Sequence, residues 1–136
     1  MLNSKKMFTN RKSLILALLY MLLIFILSSI PDYTSPEKAN VARKIVQNIL
    51  HIPMFGLLAF LWLRSFNIKN IGINRSILYS LIITIAYAAF DEFHQSFAPG
   101  RFCTFSDFLL DAFGCVAALM IVKRHLSPQS TDRTKG

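Results

Sequence analysis

The stretch DEFHQSFAPGR at 91–101 gathers two carboxylates, an imidazole, an amide and a guanidinium. Further polar residues stand at helical spacing elsewhere: Lys44, Asn48 and His51 in ARKIVQNILHIPMFGLLAF, and Asp107 and Asp111 in TFSDFLLDAFG. Side chains of these types can do three kinds of work. Carboxylates and imidazoles move protons, carboxylate oxygens take divalent cations, and Lys or Arg hold phosphate through charge-assisted hydrogen bonds. In helical register Lys44, Asn48 and His51 share one face, as do Asp107, Asp111 and Gly114. Asp91, His94 and Gln95 fall on one side of a helix, with Glu92 beside Gln95.

The elements that must position these residues are apolar. The chain has 136 residues, of which 54% are hydrophobic and 12% aromatic, and its mean hydropathy of +0.46 is too high for a soluble domain of this size. A formal charge of +8 could indicate nucleic acid, but the basic residues lie between apolar runs and form no stripe on a polar fold, so no nucleic-acid partner is expected. Four runs, about 13–30, 45–63, 76–97 and 105–122, meet the roughly 17 to 25 residues that a membrane-spanning helix needs. They are longer than the strands of an outer-membrane barrel and apolar on every face. The expectation is an all-α polytopic membrane protein, with a four-helix transmembrane domain over 1–125 and a polar tail over 126–136.

The N-terminal MLNSKKMFTNRK and the apolar run after it resemble a signal peptide. The run is long and no Ala-x-Ala-like site follows, so it reads as an uncleaved first helix. Orientation follows from the placement of Lys and Arg. Lys5, Lys6, Arg11 and Lys12 precede the first span, Arg64, Lys69 and Arg75 lie between the second and third, and Lys123, Arg124, Arg133 and Lys135 follow the fourth. Those segments are expected in the cytoplasm, with both termini inside and the chain in the cell membrane. The other two connections carry only Lys38, Arg43, Lys44 and Arg101, and DEFHQSFAPGR then faces outward.

This orientation brings Lys44, His51, Asp91, Glu92, His94, Gln95, Arg101, Asp107 and Asp111 into the outer half of the membrane, while the inner half has no comparable cluster. The asymmetry points to a polar pocket open to the outer face. Pro53, two residues after His51, is expected to bend or loosen the second helix there. Cys103 and Cys115 are too far apart on one helix for a disulfide and lack metal-ligand spacing, so they read as packing residues.

Each polar residue also has a plainer role. Thr104 to Asp107 fits a helix-capping pattern, Asp91 and Glu92 can pair with Arg101 or Lys44 to tie helix ends together, and His51 can serve as an interhelical hydrogen-bonder. His94 suits interfacial water equally well, and Gly56 and Gly114 suit close helix packing. Asp111 is the hardest to dismiss, because a carboxylate that deep needs a strong partner.

DEFHQSFAPGR followed by SDFLLDAFG resembles the signature of the VanZ-like membrane proteins: an Asp-Glu pair, a Gln, a Pro-Gly-Arg turn and an Asp-rich helix start with a later Gly. The upstream RKIVQNILHIPMFGLLAFL is similar to the second helix of that family, and the likeness spans nearly the whole chain. It falls on Lys44, His51, Asp91, Glu92, Gln95, Pro99, Gly100, Arg101, Asp107, Asp111 and Gly114. The family takes its name from a protein linked to resistance against teicoplanin, a lipoglycopeptide acting on lipid-linked cell-wall precursors outside the membrane. The resemblance implies a bacterial envelope protein affecting sensitivity to such compounds or handling envelope lipids. It supplies no reaction.

Three functions are open at this level. In the first, Lys44 and Arg101 bind a phosphate while Asp91, Glu92 and Asp111 fix those cations or take a cationic group, so that His51, Gln95 and Asp107 complete a binding pocket. Its ligand would be a membrane lipid, a lipid-linked cell-wall precursor or a lipoglycopeptide. In the second, a membrane enzyme acts on a lipid-linked, phosphorylated substrate, with His51 or Glu92 as general base, Asp111 as a protonated acid and Arg101 stabilising the transition state. No metal-binding motif is present, and Asp91, Glu92 and Asp107 are the carboxylates that a divalent cation would bridge. In the third, the polar cluster only glues the helices together. No cofactor is specified, and a thin bundle of four short helices leaves self-association open.

Overall fold

The structure, a computed structural model, describes residues 10–31, 39–66, 68–100 and 105–126, with 39–48 given by backbone alone. The Lys44 side chain, Arg101, Cys103, Thr104 and the polar tail after Leu126 lie outside the described residues. The described chain is helical. Helix α1 spans Arg11–Ser28, α2 Ala39–Ser65, the short α3 Ile68–Ile71, α4 Ile73–Gln95 and α5 Phe105–Leu126.

Local chemistry sets the ends. The Asn10 side chain accepts from the Ser13 N–H at 3.1 Å and caps α1. Ile30 precedes Pro31, which keeps it out of helical backbone and stops any continuation. Gly72, with φ of 81°, separates α3 from α4, so α4 begins at Ile73, ahead of the position near Ser76 expected from hydropathy. It ends at Gln95, where the N–H groups of Phe97 and Ala98 turn back to the carbonyls of His94 and Gln95 before Pro99 and Gly100. Helix α5 carries Lys123, Arg124 and His125 in its last turn, where cations complement the helix dipole. Pro53 sits inside α2, which runs on through it, and its missing N–H cannot bond the Ile49 carbonyl.

The long helices run up, down, up, down. Met21 meets Tyr87 and Ser28 meets Gln95, so α1 and α4 are parallel. His51 meets Asp111 and Phe55 meets Cys115, so α2 and α5 are parallel to each other. Phe66 at the end of α2 packs on Tyr79 near the start of α4, which makes these two antiparallel. Helix α2 touches all three other long helices. Its contact with α5 is the closest: a Cβ on Gly56 would lie 3.1 Å from the Gly114 carbonyl oxygen, and one on Gly114 would run into the Ile52 carbonyl. Glycine at both places lets the backbones approach as small-residue interfaces do in membranes.

The distribution of side chains is inverted relative to a protein in water. On α4 the buried positions are Ser76, Ser80, Thr84, Ala88, Asp91, Glu92 and Gln95, while Leu78, Ile82, Phe90 and Phe93 point outward. On α1, Ser13, Ala17 and Ser28 are inside, and Ile15, Leu19, Leu22 and Ile26 are outside. Water would oppose such an arrangement and hydrocarbon favours it. Helices α1, α4 and α5 are long and apolar enough to cross a membrane, and α2 contributes a shorter apolar segment, Ile49–Ser65. The chain is an all-α polytopic membrane protein.

Candidate functional site

The C-terminal end of α4, the N-terminal half of α5, the middle of α2 and the end of α1 meet at one end of the bundle. Asp91 and Asp111 are 0% exposed, Glu92 3%, and the His51 side chain 15%, which makes the imidazole the most exposed member of the cluster. His51 comes from α2, one turn before the Gly56–Gly114 crossing, and that crossing sets its distance to Asp111. Its Nδ1 lies 3.1 Å from Asp111 Oδ1. Glu92 completes a convergent set: one ligand atom each from His51, Glu92 and Asp111 falls within 4.8 Å of the others.

Asp91 is held on the adjacent side of α4. Gln95, one turn later, donates from Nε2 to Asp91 Oδ2 at 2.8 Å and reaches Ser28 Oγ on α1 at 3.5 Å. Asp91 also lies within electrostatic reach of His51 and Asp111. Among the described residues, the buried carboxylate oxygens Asp91 Oδ1 and Asp111 Oδ2 have no hydrogen-bond partner. Burying three carboxylates together costs several kcal/mol unless positive charge or protons compensate.

The expected residues therefore separate into groups. His51, Asp91, Glu92, Gln95 and Asp111 come together. Asp107, one turn nearer the start of α5 than Asp111, is only half-buried and stands outside the convergent set. The sequence offered Asp91, Glu92 and Asp107 as the carboxylates for a cation; among the described residues the donors that converge are His51, Glu92 and Asp111, because the α2–α5 crossing aligns the turn of Asp111 with α2. His94 is elsewhere, its Nε2 2.9 Å from Ser29 Oγ and its ring stacked on Phe25 at 4.2 Å. Lys44 and Arg101 fall outside the described side chains.

Sequence reading missed Ser28 and Tyr87. The Tyr87 hydroxyl donates to the Met21 carbonyl at 2.5 Å, and its ring packs against Phe55, which in turn touches the His51 ring. Tyr87 precedes Asp91 by one helical turn, a spacing that could have flagged it. The buried Ser76, Ser80 and Thr84 were hidden within an apolar run, although their four-residue repeat marks an inward face. Cys115 is a buried packing residue whose Sγ sits 3.7 Å from the Phe55 carbonyl.

The arrangement can hold a cation, relay a proton through the His–Asp pair, or anchor a polar headgroup. Comparison with known proteins gave no match to any curated protein or solved structure. The VanZ/LLP1 family model, however, matches residues 3–126, which take in all four long helices and every residue of the acidic cluster. The chain belongs to the VanZ/LLP1 family.

Proposed function

We propose that the acidic end of the bundle recognises the polar headgroup of a membrane lipid or lipid-linked cell-wall precursor at the outer face of the bacterial cell membrane, and that the protein thereby alters sensitivity to teicoplanin-type lipoglycopeptides. One observation carries the reading: Asp91 and Asp111, fully buried beside Glu92 and His51, each keep an oxygen that has no hydrogen-bond partner among the described residues. Glue between helices would be expected to close such bonds within the chain. The family's link to glycopeptide resistance supports the biological setting.

The outward orientation has its own support. The cations whose side chains are described, Arg11, Lys12, Arg64, Lys69, Arg75, Lys123 and Arg124, lie at the opposite end from the acidic cluster and are exposed, while Arg43 and Lys44 stand at the start of α2 on the acidic side. The positive-inside rule therefore supports a cytoplasmic position for that end and an outward-facing cluster.

The test is lipoglycopeptide susceptibility of cells expressing wild type, Glu92→Gln and Asp111→Asn, with membrane abundance measured in parallel. The expected result is loss of protection at normal abundance. Wild-type protection in both variants, or loss explained by falling abundance, sinks the proposal. A second reading is favoured by the 3.1 Å His51–Asp111 pair, since a carboxylate on one imidazole nitrogen orients the other as a base. In that case the protein is an enzyme acting on a phosphorylated, lipid-linked substrate. Purified protein would convert such a substrate, and His51→Gln would abolish conversion while preserving binding.

A further inference from the structure

We infer that His51, Glu92 and Asp111 bind one divalent cation of the manganese-to-zinc class. The inference rests on the proposed function only in taking the same site. The three donors come from α2, α4 and α5, and their ligand atoms lie within 4.8 Å of one another. Donors on a common ion at metal–ligand distances of about 2.1 Å are roughly 3 to 4 Å apart, so a small inward movement of side chains completes the set. The 3.1 Å between His51 Nδ1 and Asp111 Oδ1 already equals such an edge.

An independent observation points to a ligand. Asp111 is 0% exposed and its Oδ2 has no hydrogen-bond partner among the described residues, and the same holds for Oδ1 of Asp91, next to Glu92 on α4. A cation beside the cluster supplies the charge that these buried oxygens lack. The donor set selects the metal class. One imidazole with two carboxylates is softer than the all-oxygen shells of magnesium and calcium, and harder than the thiolate sites of copper(I). Three protein ligands leave a coordination position open. A phosphate oxygen can take it, and this reconciles an acidic pocket with an anionic headgroup. The Gln95 bond to Asp91 holds the neighbouring carboxylate in place behind the site.

The experiment uses the full chain, produced without a polyhistidine tag, purified in detergent micelles, stripped with EDTA and titrated with Mn²⁺ and, in parallel, Zn²⁺. About one ion per chain is expected. His51→Gln should weaken binding by roughly ten-fold or more, and Ser80→Ala, at the other end of the bundle, should leave it unchanged. A wild type that binds no ion above the micelle blank overturns the inference, as does a folded His51→Gln protein with wild-type affinity. Where His51→Gln fails to fold, the decision passes to bound Mn²⁺ in a chain carrying His94→Ala and His125→Ala. With three histidines in the sequence, any nitrogen hyperfine coupling from imidazole then comes from His51. Its presence supports the site and its absence overturns it. The susceptibility assay fails separately: variants that lose protection without any metal binding in the wild type leave headgroup recognition standing and remove the metal. Metal binding with unchanged protection does the reverse.

Discussion

The two ends of the bundle are built from the same four helices and solve burial differently. At the end where α2 finishes and α4 begins, Trp62 packs on Phe66 and Phe66 on Tyr79, with Leu63 and Leu119 alongside. Its buried hydroxyls bond within their own helices: Ser65 to the Trp62 carbonyl, Ser76 to Gly72 and Ser80 to Ser76. Among the described residues, the unmatched polar atoms away from the carboxylates are neutral: Trp62 Nε1 at this end and Thr84 Oγ1 midway along α4. At the other end the unmatched atoms among the described residues are the carboxylate oxygens Asp91 Oδ1 and Asp111 Oδ2. A neutral N–H left alone costs about 1 to 3 kcal/mol, while an uncompensated buried charge costs more. The first end can be complete as a fold, and the second calls for something further.

The comparison can be broken most sharply at Asp111. Asp111→Asn keeps the shape and an acceptor for His51, so abundance should hold while protection against lipoglycopeptide falls to that of cells lacking the protein; Ser80→Ala, its counterpart at the other end, should change neither. Stability comes next. Gly114→Ala pushes a Cβ into the Ile52 backbone, and chemical unfolding in micelles should show a loss of about 2 to 3 kcal/mol. Gln95→Leu leaves Asp91 without its one described donor, and the same measurement should register about 1 to 3 kcal/mol. Trp62→Phe should lie within about 1 kcal/mol of wild type, because losing an unpaired N–H offsets the lost ring area. If Trp62→Phe proves as damaging as Gln95→Leu, the two ends differ less than their chemistry implies.

Much of this was legible in the chain. Apolar runs of spanning length required helices, and face arithmetic grouped His51 on α2, Asp91, Glu92 and Gln95 on α4, and Asp111 on α5. What stayed hidden was the register between helices. Whether Asp107 or Asp111 meets α2 depends on where α5 crosses it, and that is fixed by the contact of Gly114 with Ile52. The fourfold spacing puts both aspartates on one face without saying which turn is buried. Helix α3 was invisible because four residues flanked by Asn67 and Gly72 leave no periodicity to detect. The serines and threonine of α4 were masked by averaging, since hydropathy reports the lipid-facing Leu, Ile and Phe around them.

The glycine crossing of α2 and α5 also acts as a mechanical fulcrum. A change in bilayer thickness re-tilts spanning helices, and two helices touching backbone to backbone scissor about that contact. Asp111 lies about 5 Å along the axis from Gly114, whereas Leu126 lies about 18 Å away in the other direction. For a given change of angle, the far end of α5 swings roughly three to four times as far as the His51–Asp111 pair. The bundle can thus follow membranes of different thickness with its apolar end while its acidic cluster stays almost still.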